Sequence, residues 1–157
     1  MDRAIIFQIN VSAGGVPKLP VASASVTELG LAGDAHRDLE HHGGPERALC
    51  LFPLEQIHAL QAEGHTVAAG SMGENLTVEG LDWARVIPGA RLELGNQVLI
   101  EVTRYTSPCF NIRPYFADGD FSRVSQKKHP GWSRVYARVL RPGAIKQGDP
   151  VRLIASS

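Results

Sequence analysis

The tripeptide Ser107, Pro108, Cys109 closes the run VLIEVTRYTSPCF, and a thiol in such a place can act as a nucleophile or as a metal ligand once it is ionised. Pro108 has no amide donor and pushes Ser107 into an extended conformation, so the cysteine stands on a stiff elbow rather than inside a ladder. Arg104 and Arg113 flank it in sequence. If their side chains converge on the sulfur they favour thiolate over thiol. A fall in pKa from about 8.5 to about 7 would raise the thiolate fraction at neutral pH from a few per cent to about half. A lone cysteine in an intracellular protein is also explained as a small buried hydrophobe, so its surroundings have to decide. Cys50, inside the compact apolar run Ala48 to Phe52, reads as core. In a reducing compartment the two are expected to stay separate thiols.

A second set of chemistry-bearing residues fills the polar loop from Gly33 to Arg47, where Asp34, His36, Asp38, Glu40, His41 and His42 precede Gly43 and Gly44. Their spacing matches neither a helical HExxH pair nor a paired cysteine motif. Adjacent histidines on an extended loop point in opposite directions, so a dedicated zinc site is not expected. His42 and Arg47 read better as donors to an anionic ligand. Lys18, after Gly14 and Gly15, adds a charge to a loop able to cradle a phosphate, although two glycines and a lysine also make an ordinary turn. In GSMGENLTVEGL, Gly70 and Gly73 open the backbone before Glu74 and Asn75, which suits a pocket rim and equally a β-bulge. Asp118 and Asp120 around Gly119 lack the later ligands of a calcium loop and read as a surface turn. No GxSxG, GxGxxG or GxxxxGK[ST] motif occurs, which removes the signatures of serine hydrolases and of the common nucleotide loops.

The elements that must position these residues are short and rich in strand pattern. The 16 glycines and 10 prolines punctuate the chain, and β-type alternation predicts strands over Ala4 to Val11, Ser23 to Leu29, Ala48 to Phe52, Leu76 to Val78, Val98 to Arg104 and Trp132 to Leu140. The last carries Val135, Ala137 and Val139 on one face and Arg134, Tyr136 and Arg138 on the other, and that polar face could line a pocket. One helix is expected after Pro53, with Leu54, Ile57 and Leu60 on one side and Gly64 as its stop; His58 and His65 would be solvated. Residues 112–130 read as a polar flap with a helical turn around Arg123 to Lys127. LGLAGDAH, VIPGARLEL and IKQGDPVRL share a turn-into-strand grammar suited to the corners of a barrel or strongly bent sheet. The fold class is therefore mainly β, many strands in a barrel or strongly bent sheet with one or two helices, in a single domain over residues 1–157.

Charge adds only exclusions. The 16 basic residues equal the 16 acidic ones, so nothing in the balance points to nucleic acid or an anionic membrane as partner. No apolar run reaches the roughly 18 residues of a spanning helix, and no signal-peptide pattern opens the sequence, so a cytoplasmic location is expected.

The ordered series SAGGVPK, GLAGDAHRDLEHHGGPERA, GENLTVEGL, SPC and PGAIKQGDPV resembles the MOSC domain, named for the C-terminal domain of molybdenum cofactor sulfurases. The resemblance covers nearly the whole chain, in the family's order. It implies a β-barrel-like sheet with peripheral helices, and a protein that either carries sulfur as a cysteine persulfide or binds the molybdenum cofactor, molybdopterin, with the cysteine of the PC motif as a thiolate ligand. Cys109 inherits both the catalytic and the metal-ligand role. Lys18, Gly33, Asp34, His36, His42, Gly43, Gly44, Arg47, Gly73, Glu74, Asn75, Arg104, Ser107 and Pro108 are the candidates for holding the cofactor, with Arg138 as a further basic group. A soft thiolate suits molybdenum in a dithiolene setting, and a phosphate needs charged and amide donors. Some standalone members reduce N-hydroxylated bases. No flavin, haem or iron–sulfur motif is present, so such a reaction would need an external electron donor; sulfur carriage would need a sulfur donor or acceptor protein.

Overall fold

The computed structural model describes residues 3–12, 16–34 and 44–154, and most of its regular elements are strands. These are β1 (Ile5–Val11), β2 (Leu19–Val21), β3 (Ser23–Thr27), β4 (Gly30–Leu31), β5 (Leu49–Pro53), β6 (Leu76–Glu79), β7 (Arg91–Leu94), β8 (Val98–Tyr105), β9 (Val135–Arg141), β10 (Gly143–Lys146) and β11 (Val151–Ile154). One α-helix, α1 (Leu54–Ala62), and short 3-10 turns at Pro45–Arg47, Trp83–Arg85, Phe110–Tyr115 and Phe121–Val124 complete them. The eight strands of the main sheet run β11-β7-β8-β9-β5-β6-β1-β2, and a three-stranded sheet runs β10-β3-β4. The segment IKQGDPVRL brings the main sheet back on itself. Gly148 N donates to Ile6 O (2.8 Å), Ile6 N to Asp149 O (2.9 Å) and Val151 N to Ala4 O (3.0 Å), with a bridge between Ile5 and Pro150. The chain into β11 thus meets β1, so the mainly β, barrel-like expectation describes the architecture.

The pleat divides the side chains between two cores. On the inner face, Ile6, Ile9, Leu49, Leu51, Leu76, Val78, Leu92, Ile100, Val102, Val135 and Ala137 form one apolar cluster. On the other face, Phe52 and α1's Leu54, Ile57 and Leu60 pack with Val67, Met72, Ile112, Phe116 and Val124. Leu54, Ile57 and Leu60 recur at helical spacing, which is why α1 lies flat on that face. Residues 112–130, expected as a polar flap, instead dock there through Ile112, Phe116 and Val124, each nearly or fully buried. Burying such a side chain stabilises by about 1.5–3 kcal/mol. Their apolar residues are too widely spaced for strand or helix periodicity, and the helical turn falls at Phe121–Val124 rather than further on.

One smaller expectation also changes. His65 is not solvated, although His58 is exposed. Its ring lies 5.0 Å from that of Phe116, and its Nδ1 accepts from Ala117 N at 3.1 Å. The strands β2 and β4 have no clear alternation: Leu19 and Pro20 are both exposed, and only pairing with a neighbour defines them. Asp118 and Asp120 do form a surface turn, accepting from Asp120 N (2.9 Å) and Ser122 N (3.1 Å) respectively.

Candidate functional site around Cys109 and Tyr136

Strand pairing gathers the chemistry on the face of the sheet opposite the inner core. Cys50 on β5 and Arg104 on β8 both stand opposite Tyr136 on β9, while their neighbours Leu49, Val102 and Ala137 pair on the inner side. Side chains of directly opposed residues lie on one face. The β8–β9 register shifts between Val102 and Arg104, and without that bulge Thr103 would take the place of Arg104. Thr103 Oγ1 donates instead to Glu46 O at 2.6 Å, and Arg138 pairs with the Glu46 carboxylate at 3.0 Å. Both contacts hold the 3-10 turn Pro45–Arg47 over β9, where the Arg47 guanidinium lies 5.9 Å from the centroid of the Tyr136 ring.

Cys109 is fixed by anchors on both sides. Upstream, Thr106 N donates to Arg134 O (3.0 Å) and Ser133 Oγ to Thr106 O (3.2 Å). Downstream, Ile112 N donates to Cys109 O (3.2 Å), and the Ile112 side chain is buried in the outer core. Between the anchors Ser107 is exposed, Pro108 half-buried, and Cys109 itself extended and half-buried at the head of the turn Phe110–Tyr115. The thiol is accordingly held and accessible. Arg104 is exposed and forms no ion pair among the described residues. Arg113, expected beside the sulfur, lies over the ring of Phe110, 5.3 Å from its centroid.

Electrostatics tie this face together. Burial pushes the Tyr136 phenol up to about 12; Cys50 and Cys109 add to the rise, and Arg134 and Arg47 oppose it. The phenol therefore keeps its proton and is a hydrogen-bond donor at neutral pH. Burial likewise pushes the Cys50 thiol up to about 12, with Arg134 the largest opposing influence, so Cys50 is an inert neutral thiol beside the site. Arg134, placed by the sequence on a polar strand face, is in fact buried, and its Nη1 donates to Met72 O at 2.6 Å. It joins the Gly73 loop to the Tyr136 face. A Cβ at Gly73 would stand 3.1 Å from Val16 Cγ1, on a backbone with φ of +82°, so the glycine permits the close approach of that loop.

A second polar cluster lies under the same face. Asp34 accepts Lys18 Nζ on both oxygens (2.7 and 2.9 Å), Ser12 N (2.9 Å) and Asn75 Nδ2 (2.8 Å), while Asn75 Oδ1 accepts Cys50 N (2.9 Å). Glu74 is fully buried and accepts Gly70 N (3.1 Å) and Thr77 Oγ1 (2.9 Å) through Oε2. Burial raises its pKa, with those hydrogen bonds and Arg134 acting against the rise. Glu74 Oε1 and Arg134 Nε are buried without a hydrogen-bond partner among the described residues.

A family model described as MOSC domain matches residues 38–152 of this chain.

The chain belongs to the MOSC domain family.

Among similar MOSC proteins, Escherichia coli YiiM is 33% identical over 83% of this chain and 58% of its own length, and Bacillus subtilis YflK is 29% identical over 90% and 63%. The chain thus spans less than two thirds of these curated relatives. A Gibberella moniliformis protein named Reductase is 31% identical over 80% of the chain and 22% of its own length. The crystal structure of YiiM from Geobacillus stearothermophilus superposes with a TM-score of 0.76 at 27% identity, covering 97% of this chain and 75% of that one.

Of the positions singled out by sequence, the structure brings Arg47, Arg104 and Cys109 to the Tyr136 face, with Ser107 and Pro108 forming the elbow. Lys18, Asp34 and Asn75 are brought together too, but as a closed clamp. The Lys18 ammonium and the Asn75 amide, expected as donors to a cofactor, are engaged by Asp34 because a buried charge requires a partner. Gly33 is exposed beside that clamp, and Gly44 begins the turn that carries Arg47. His36, His42 and Gly43 lie outside the described residues, as do Gly14, Gly15, Asp38, Glu40 and His41. Tyr136 and Arg134 are the residues that sequence reasoning left among general pocket-wall groups; the alternation of Trp132 to Leu140 gave their face, and only the pairing of β9 with β5 and β8 gave their neighbours.

Proposed function

We propose that this MOSC domain binds the molybdenum cofactor, with Cys109 Sγ as the protein ligand to molybdenum and the guanidinium groups of Arg47, Arg104 and Arg134 facing its anionic groups. The observation that carries this reading is the meeting of an accessible, doubly anchored thiol with arginines from three separate elements around one neutral phenol. The residues fit such a group chemically. A soft sulfur donor suits molybdenum, arginine forks suit phosphate, and the unpartnered Glu74 Oε1 and Arg134 Nε provide an acceptor and a donor for a polar ring edge. MOSC domains are associated with molybdenum cofactor enzymes. When bound, the cofactor supplies a two-electron centre able to take an oxygen atom from an N–O bond. Cys109 orients it from the elbow, and Tyr136 Oη holds a proton on the face the substrate would approach.

Reduction of N-hydroxylated compounds, with electrons from a separate donor protein, is the activity that this arrangement supports best, and the relative named Reductase favours it. The protein would work in the cytoplasm as one MOSC domain. The competing reading is a carrier that takes sulfur from a donor protein as a persulfide on Cys109. Assay of the purified protein with an N-hydroxylated base and an artificial electron donor separates the two. An enzyme turns the substrate over and loses turnover in Cys109→Ser. A carrier shows no turnover and gains about 32 Da, one sulfur atom, reversibly on Cys109. Absence of both outcomes would overturn the proposal.

A further inference from the structure

Immediately after Cys109 the chain leaves a large aromatic side chain in water. Phe110 is 67% exposed, although Ile112 and Phe116 in the same segment are buried. Its ring forms one wall of a depression of about 520 Å³ whose other walls include Arg113, Pro114, Phe116 and Gly119. Sites for small molecules are typically concavities of roughly 300–1,000 Å³, mostly apolar with a few placed polar groups. Phe110, Pro114 and Phe116 give apolar surface, and Arg113 gives the charge.

The charge has no carboxylate partner among the described residues. The Arg113 guanidinium rests on the Phe110 ring instead. The nearest acidic residues in sequence are turned to their own loop: Asp118 Oδ1 accepts Asp120 N, and Asp120 Oδ1 accepts Ser122 N and Ser122 Oγ. A Cβ at Gly119 would come to 3.1 Å from Arg113 Nε, so the glycine leaves the arginine room to lie along the wall. With the guanidinium over the ring, the 67%-exposed Phe110 still presents aromatic surface to water, and such a pair recognises a ring by stacking and a carboxylate by paired charge-assisted hydrogen bonds.

We propose that this depression is a binding site for planar aromatic carboxylates, held by Phe110 and Arg113 next to Cys109. The site goes beyond the cofactor reading and does not depend on it. Its test is direct binding of 2-naphthoate to the full chain, followed by amide NMR shifts, with 2-naphthylmethanol and cyclohexanecarboxylate as the uncharged and non-planar comparators. Saturable binding should shift residues 110–119, and Arg113→Gln should weaken it about tenfold or more, as expected for loss of a charged hydrogen-bond donor. Phe110→Leu should bring the affinity for 2-naphthoate down to that for cyclohexanecarboxylate. Both side chains are exposed or on the rim, so unchanged spectra of the free variants would confirm that they fold. Equal binding by Arg113→Gln, equal affinity for 2-naphthylmethanol, shifts centred elsewhere, or no saturable binding would each overturn the proposal.

Discussion

Two polar regions on one side of the main sheet have opposite character. Around Asp34 the polar groups turn inward: Lys18, Ser12 and Asn75 converge on one carboxylate, and the Asp34 and Lys18 side chains are only 1% and 7% exposed. Around Tyr136 and Cys109, the thiol is half-buried rather than enclosed, Arg104 carries no ion pair and Arg134 Nε no hydrogen-bond partner among the described residues. The first region looks functional in sequence because it is dense in polar residues, yet its groups satisfy one another. The second is sparse in sequence and assembled by strand pairing. Polar groups that satisfy one another hold a fold together, whereas the site keeps Arg104 without an ion pair and Arg134 Nε without a hydrogen-bond partner among the described residues.

Removing the clamp should damage stability most. Asp34→Ala leaves the Lys18 ammonium buried without its counter-charge, and breaking a buried pair in this way costs about 3–5 kcal/mol; urea denaturation should register a loss of that size. A cost below about 1 kcal/mol would show that the clamp is as loosely held as a surface pair. Asn75→Ala removes the amide that joins Asp34 to the backbone of Cys50. Leaving that buried N–H unsatisfied should cost about 1–3 kcal/mol in the same measurement.

Glu74 gives the comparison a pH signature. Burial raises its folded pKa above the ordinary glutamate value of about 4.5, so the folded state binds the proton more tightly than the unfolded one. The stabilising effect is fully present below about pH 4.5 and is lost as pH rises through the folded pKa. Stability curves between pH 4 and pH 8 should therefore show a decline in the wild type that Glu74→Gln flattens, because the amide mimics the protonated acid. An identical slope in the two proteins would mean that Glu74 ionises normally. The smallest stability effect belongs to the open region. Arg104→Gln should change the unfolding free energy by no more than about 0.5 kcal/mol, while lowering the amount of molybdenum cofactor that the protein retains. A large stability loss there would make Arg104 a structural residue and remove the contrast.

The apolar pattern made much of the fold legible. Alternation in Val98 to Arg104 and Trp132 to Leu140 corresponds to β8 and to β9, whose regular strand begins at Val135, and the spacing of Leu54, Ile57 and Leu60 to α1. Three things were hidden for physical reasons. Ile112, Phe116 and Val124 dock through 3-10 turns, whose residues follow no amphipathic period. The bulge at Thr103 decides that Arg104 faces Tyr136, and a register shift leaves no local mark in composition. The clamp was visible as residues but not as partners, since Lys18, Asp34 and Asn75 meet only after the sheet forms. At the site, Cys109 and its elbow could be read from Pro108 and the strand before it, whereas Tyr136 and Arg134 became specific only through their cross-strand neighbours.

The most direct test of Cys109 as the protein's hold on molybdenum is the molybdenum and pterin content of the purified chain, wild type against Cys109→Ser, from cells supplied with molybdate. The account predicts that the wild type carries both and that the variant, folded and equally stable, loses the molybdenum. A Cys109→Ser protein holding as much molybdenum as the wild type would contradict it.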